Sequence, residues 1–370
     1  MHQARPGPHT RDNAAMHHAA PPSPSSPETP AHPYARLMPD TVLDALDSIG
    51  LRGDGRLTAL SSYENRVYQV QLEDPVQGHR AVVLKFYRPG RWSEAQILEE
   101  HAFSADLEAA EVPAVGPLHI EGRSLHRYQD FHFSVSPRRG GRPPELDDFE
   151  VLEWIGRFLA RLHEVGRARP FVQRPALDLA SFGWAARDSL LQSQALPADA
   201  LGPWRAACDE ALERIAAHPL CQRASGRFDA GQLALIRLHG DCHPGNILWT
   251  PTDGPGGGPH FVDLDDARSG PAVQDLWMLL SGDRAQQTGQ LAALLEGYEQ
   301  VRPFDRRELA LIEALRTLRL IHYSAWLASR WDDPTFPLNF PWFGSSDYWH
   351  GQTHQLQDQI EALDAEPLYA

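Results

Sequence analysis

The stretch from His239 to Asp266 constrains this chain more than any other. It reads His239-Gly-Asp241-Cys-His243-Pro-Gly-Asn246-Ile-Leu-Trp249 and, after a glycine-rich segment, Phe261-Val-Asp263-Leu-Asp265-Asp266. The two apolar runs bracket Asp253-Gly-Pro-Gly-Gly-Gly-Pro259, which breaks regular structure, so the pattern predicts a hairpin with its tip there. Such a hairpin brings a polar loop bearing Asp241 and Asn246 beside a strand that ends at Asp263.

The chain on either side has two characters. From Met38, Pro39-Asp40-Thr41 starts a helix carrying Val42, Leu43, Leu46 and Ile49, which Gly50 stops. Tyr68, Val70 and Leu72 alternate with polar residues, and Ala81 to Phe86 is a β-rich run whose Val83, Lys85 and Tyr87 share one face. Ser93 with Gln96 forms a capping box and Trp92 with Ile97 a staple, which predicts a helix from Glu94 to about Leu107. β-like segments follow around His119 to Arg127 and Phe131 to Val135. Beyond Pro137 the period becomes helical. Leu152, Ile155, Phe158, Leu159 and Leu162 mark a helix from about Asp148 to Val165 before Gly166, and later segments fall near 273–280, 291–298 and 305–330.

The expected architecture is α+β and two-lobed: a small β-rich N-terminal lobe over 37–137 and a larger, mostly helical C-terminal lobe over 138–370. A Pro-, Ser- and His-rich tail, 1–36, carries too little apolar surface to offset its ordering entropy. It also lacks the apolar core of a secretory signal, and no stretch is long and apolar enough to span a bilayer, so a cytoplasmic protein without membrane contact is expected. Cys208, Cys221 and Cys242 have neither metal-ligand spacing nor the number of a disulfide framework; they read as core filler in a reducing compartment. A net charge of −15 argues against neutralising nucleic-acid phosphates and leaves proteins or small metabolites as partners.

The residue types at 241, 246 and 263 suit phosphoryl transfer. That reaction needs a carboxylate to orient a hydroxyl toward the γ-phosphorus and hard oxygen ligands for Mg²⁺. The five-residue step from Asp241 to Asn246 reproduces the kinase catalytic-loop pattern, and Asp263 stands where such enzymes carry their metal-binding Asp. ATP as co-substrate and Mg²⁺ as cofactor follow. Lys85 is the candidate strand lysine at the phosphates, with Glu100 preferred to Glu99 as its partner. Ser61 to Arg66, with Ser62 and Asn65, is the candidate phosphate-covering loop, although it has no glycine. His243 reads as a loop-shaping residue, whereas Asp265 and Asp266 read equally well as a second metal site or as solvated charge.

The glycine-free loop and the His-Gly-Asp-x-His-x-x-Asn pattern resemble the aminoglycoside phosphotransferase and choline kinase-like branch of the protein-kinase-like fold. Ser-Tyr-Glu-Asn-Arg-Val-Tyr at 62–68, Lys-Phe-Tyr-Arg-Pro at 85–89, Gln-Ile-Leu-Glu-Glu-His at 96–101, Leu-His-Gly-Asp-Cys-His at 238–243 and Phe-Val-Asp-Leu-Asp-Asp-Ala-Arg at 261–268 resemble the bacterial stress response kinase A family. The likeness runs from about Leu37 into the C-terminal region. It implies an autophosphorylating Ser/Thr protein kinase of the stress response, with Asp241 as proton acceptor, Asn246 and Asp263 on Mg²⁺, and Ser62 at the ATP phosphates. Asp275 then resembles the helix aspartate that anchors the catalytic loop. We expect a monomer with a protein substrate. Alternatives are a small-molecule kinase of the aminoglycoside, choline or homoserine type, for which Trp326, Trp331, Trp342, Tyr348 and Trp349 would need to form an aromatic box rather than close a core, and an ATP-binding pseudokinase.

Overall fold

The computed structural model describes residues 32–221, 228, 233–254 and 256–369. The expected tail lies outside them as far as residue 31, but its last residues pack. Tyr34 is buried, stacks on Phe131 with centroids 6.1 Å apart, and donates its hydroxyl to the carbonyls of Glu64 and Phe86. The boundary at 36 is therefore corrected, because one aromatic ring supplies burial that the surrounding Pro/Ser composition cannot.

Helix α1 (Pro39–Asp47) buries Val42 and Leu46 beneath a five-stranded antiparallel sheet. Its strands are β1 (Gly53–Leu60), β2 (Arg66–Val76), β3 (His79–Phe86), β4 (His126–Tyr128) and β5 (Phe131–Pro137), in the order β1-β2-β3-β5-β4. Alternation along β3 sends Val82, Leu84 and Phe86 into the core and leaves Val83 and Lys85 on the opposite, half-buried face. Helix α2 (Glu94–Ala109) has the expected capping box, and Trp92 packs with Ile97. The β-like reading of 119–127 shrinks to β4, because Glu121 and Gly122 both turn through positive φ.

In the second lobe, α3 (Phe149–Arg167) is capped by the Asp148 carboxylate and buries Leu152, Ile155, Leu159 and Leu162 completely. Each such side chain stabilises the fold by about 1.5–3 kcal/mol. Gly166 does not stop the helix as expected but lies within it. A Cβ there would sit 2.1 Å from the Arg237 carbonyl oxygen, so this glycine permits close approach to a strand. That strand is β6 (Ile236–Leu238), reached through α4 (Ala186–Gln192) and α5 (Ala198–Ala217). The predicted hairpin is β7 (Ile247–Thr250) against β8 (Gly258–Phe261), antiparallel from Ile247 opposite Phe261 to Thr250 opposite Gly258. β9 (Arg268–Gly270) pairs with β6.

Helices α6 (Gln274–Trp277), α7 (Arg284–Glu299), α8 (Ile312–Ser329), α9 (Thr335–Asn339) and α10 (Ser346–Asp364) complete the lobe. The helix expected over 305–330 opens with a 3-10 turn, Arg306–Leu311. Trp349 is fully buried against Trp204 and Phe343, and Trp331 packs on Phe343, so these aromatics close a core, whereas Trp342 is exposed and Trp326 faces the cleft between the lobes. Cys208, Cys221 and Cys242 are buried and unpaired.

Candidate active site

β6 leads directly into the loop 239–246 between the lobes. Gly240 has φ +85°, and a Cβ on it would lie 2.2 Å from the Asp266 carbonyl oxygen, so only glycine fits. The buried carboxylate of Asp275 on α6 accepts hydrogen bonds from the backbone N–H groups of His239 and Gly240, both at 2.8 Å. His163 Nε2 donates to the same carboxylate at 3.1 Å, and the Tyr298 hydroxyl meets His163 Nδ1 at 2.9 Å. Asp275 thus clamps the loop from behind, in the manner the resemblance implied.

At the front, Asn246 donates through Nδ2 to the Asp241 carbonyl at 2.9 Å and lines the crevice. His243 accepts from the Gly245 N–H through Nδ1 at 3.0 Å. Its Nε2 stands 3.5 Å from Asp241 Oδ2. Burial holds the imidazole below its usual pKa against the pull of the Asp241 carboxylate, and its contact with Gly245 shapes the loop. Asp263 adopts the left-handed conformation (φ 59°, ψ 60°), rare for a residue with a Cβ. This turn ends the strand and leaves its carboxylate about half exposed in the crevice. Strain of this kind collects at functional sites.

Lys85 Nζ donates to Asp263 Oδ1 at 2.8 Å and lies 3.1 Å from Asp265 Oδ1. Burial opposes its charge, yet those two carboxylates hold its pKa well above the usual lysine value. The expected ion pair with Glu100 is not formed, because the two aspartates satisfy the ammonium. Glu100 instead faces Arg174 at 3.8 Å, and burial pushes its carboxyl up to about 7 against the pull of Lys85 and Arg174. Glu99 is excluded as the partner, since it accepts from the backbone N–H groups of Gln173 and Arg174 at 2.8 and 2.7 Å.

Asp265 and Asp266 are not solvated charge, since each is paired with cationic side chains. Asp265 is buried, paired with Lys85 and Arg91 and hydrogen-bonded by Asn65. Burial raises its carboxyl, but Lys85 and Arg91 outweigh this and hold it at about 2. Asp266 meets Arg91 at 2.8 Å and Arg268 at 2.6 Å.

The loop between β1 and β2 is held by side chains rather than by glycine. Asn65 spans from Asp265 to the Arg88 N–H, so its amide is engaged inside the protein. Glu64 pairs with Arg88 at 3.0 Å and with Arg330 at 3.2 Å, and accepts from Trp326 Nε1. Arg66 and Arg88 both reach Asp333, at 3.0 and 2.7 Å.

Two cavities meet at this point. One, of about 390 Å³, runs under the sheet and is lined by Val67, Val83, Lys85, Glu100, Leu248 and Val262. The other, of about 480 Å³, lies over the second lobe and is lined by Arg91, Asp241, Arg268, Arg319, Tyr323 and Trp326. Ser61, Ser62, Gly245, Asn246 and Asp263 line both. Sequence reasoning gave no role to Arg319, whose Nη1 donates to Asp241 Oδ1 at 2.6 Å, or to Arg91 and Arg268, and it placed Glu64 only within the phosphate-covering loop. Only the fold brings these residues to the cleft, and no spacing in the sequence signals them.

The donor set fits a divalent cation. Among the described residues no three His, Cys, Asp or Glu side chains are grouped to hold a metal by themselves. Asn246 and Asp263 offer two hard oxygens at the cavity junction, as expected where phosphates complete the coordination of Mg²⁺.

A β-rich lobe over a helical lobe, with these groups in the crevice, defines a kinase-like phosphotransferase. Residues 56–312 match the phosphotransferase enzyme family. Stress response kinase A of Escherichia coli K12 and serine/threonine protein kinase RdoA of Salmonella typhimurium LT2 are each 46% identical over 338 residues, 91% of this chain and 97% of theirs. The chain belongs to the phosphotransferase enzyme family and, within it, to the stress response kinase A group. Amicoumacin kinase hAmiN, solved with AMP-PNP, Ca²⁺ and Ami, shares the fold at a TM-score of 0.66 and 18% identity, over 90% of this chain and 96% of that one. No described helix is long and apolar enough to cross a membrane.

Proposed function

We propose that this phosphotransferase is a cytoplasmic Ser/Thr protein kinase of the stress response that uses MgATP and phosphorylates itself as well as other proteins. The observation that carries the reading is that Asn246 and Asp263 line the junction of an apolar-walled cavity and a charged one, with Asp241 beside them on the charged side. The names of the relatives support a protein acceptor.

In this reading the nucleotide lies under the sheet, between the Val67/Val83 and Leu248/Val262 walls, with its phosphates toward Ser62 and Lys85. Asn246 and Asp263 hold the metal, and Mg²⁺ when bound neutralises charge on the phosphate oxygens. Asp241 orients the acceptor hydroxyl and takes its proton as the oxygen attacks the γ-phosphorus. Lys85 keeps its charge through pairing with the aspartates and is available to the phosphates. Positioning and electrostatics supply most of the rate.

The test is incubation with Mg²⁺ and γ-labelled ATP, alone and with a generic protein acceptor. Label on Ser or Thr that vanishes in Asp241→Ala is expected. Label on small hydroxyl compounds and none on protein would overturn the protein-kinase reading in favour of a small-molecule kinase.

A further inference from the structure

Arg319 stands apart among the charged residues of the acceptor-side cavity. Arg91 is tied to Asp265 and Asp266, and Arg268 to Asp266. Glu64 is tied to Arg88, Arg91 and Arg330. Each of these charges keeps an opposite partner whatever happens to Asp241. Arg319, on α8, has its side chain 42% exposed, and among the described residues its one carboxylate partner is Asp241.

That pairing uses only Nη1 of the guanidinium, so the remaining donors of an exposed Arg319 face the acceptor-side cavity beside Asp241. A hydroxyl held for attack needs one Asp241 oxygen facing it, and Arg319 occupies Oδ1 at 2.6 Å. The other oxygen already faces Asn246 Nδ2 at 3.4 Å and His243 Nε2 at 3.5 Å. An arriving hydroxyl competes with the guanidinium for Asp241, and the proton it delivers there neutralises the one carboxylate that Arg319 pairs with. An acceptor carrying its own anion beside the hydroxyl restores that pairing, and a neutral or basic one does not. Arg319 lines the acceptor-side cavity and not the one under the sheet, which directs its charge to the acceptor rather than to the nucleotide.

We propose that Arg319 is a specificity-determining residue that selects Ser or Thr acceptors flanked by an acidic side chain, exchanging the Asp241 carboxylate for that of the substrate. The proposal rests on the kinase reading above. A guanidinium-carboxylate contact of this kind changes recognition by roughly 10–100-fold.

The experiment compares kcat and KM for synthetic peptides bearing one Ser flanked by Glu, by phosphoserine, by Ala or by Arg, with the wild-type chain, Arg319→Ala, Arg319→Lys and Arg319→Glu. For the wild type, kcat/KM should favour the Glu-flanked over the Ala-flanked peptide, chiefly through KM. Arg319→Ala should reduce that ratio by about tenfold or more, Arg319→Lys should recover part of it, and Arg319→Glu should turn the preference to the Arg-flanked peptide. A phosphoserine-flanked peptide preferred by far over the Glu-flanked one would overturn the carboxylate assignment. Equal losses on every peptide in Arg319→Ala would overturn the proposal while leaving the kinase reading intact. Wild-type enzyme that labels no peptide and no protein would remove the kinase reading, and the proposal with it.

Discussion

The two cavities that meet at Asp263 are built in opposite ways. The one under the sheet is mostly apolar, and its chemistry comes from Lys85, Ser62 and the junction residues. The one over the second lobe is crowded with charge, nearly all of it matched: Asp265 with Lys85 and Arg91, Asp266 with Arg91 and Arg268, Asp241 with Arg319. A mostly apolar slot whose cations are Lys85, Arg138 and Arg139 suits a nucleotide with its phosphates, whereas a lattice of paired charges suits discrimination among acceptors.

Breaking the charged side at its centre should have the largest effect. Asp241→Ala is expected to lower kcat by roughly 10²–10⁴-fold through loss of base catalysis, measured as turnover with a labelled acceptor. Next, Asp265→Ala takes one buried partner from each of Lys85 and Arg91, which keep Asp263 and Asp266, at a cost of about 1.5–3 kcal/mol. Urea unfolding measures it, and an unchanged midpoint would show that the pairing is not structural. Gly166→Ala pushes a methyl into the Arg237 carbonyl and should destabilise by up to about 3 kcal/mol, read in the same assay.

The smallest effect sharpens the apolar side. Glu100 has its pKa raised by burial to about 7 in the folded protein, against 4.5 for an ordinary glutamate. The folded state therefore binds this proton more tightly than the unfolded chain does. The stability it contributes is present below the unfolded value and lost as pH rises through the folded one. Glu100→Gln removes the titration, so the melting temperature of the variant relative to wild type should climb from about pH 5 to about pH 8. A flat difference would mean that Lys85 or Arg174 keeps the carboxylate ionised.

The same contrast explains what could be read from the sequence. Asp241, Asn246 and Asp263 lie within one short stretch whose spacing carries their geometry, and the capping box at Ser93 and Gln96 fixes α2 locally. Lys85 was legible because strand alternation sets its face. The charged pairing on the acceptor side was not, since Arg91, Arg268 and Arg319 come from distant elements and meet only in the folded chain, whereas Trp326 was named only as part of an aromatic box and Glu64 only within the 61–66 loop. For Glu100 the helix face was right and the partner wrong: Asp265, left undecided between a metal site and solvated charge, is one of two aspartates that satisfy Lys85. Helices α5 and α10 escaped notice because their small and polar residues dilute the apolar period.

The most direct measurement of the division of labour at the junction is an ATP titration with and without Mg²⁺, run beside turnover on the same preparations of wild type, Asp241→Ala and Asp263→Ala. The account predicts that Asp241→Ala binds MgATP nearly as the wild type does while losing turnover, and that Asp263→Ala loses the Mg²⁺-dependent part of binding. Full turnover in Asp241→Ala, or unchanged Mg²⁺ dependence in Asp263→Ala, would contradict it.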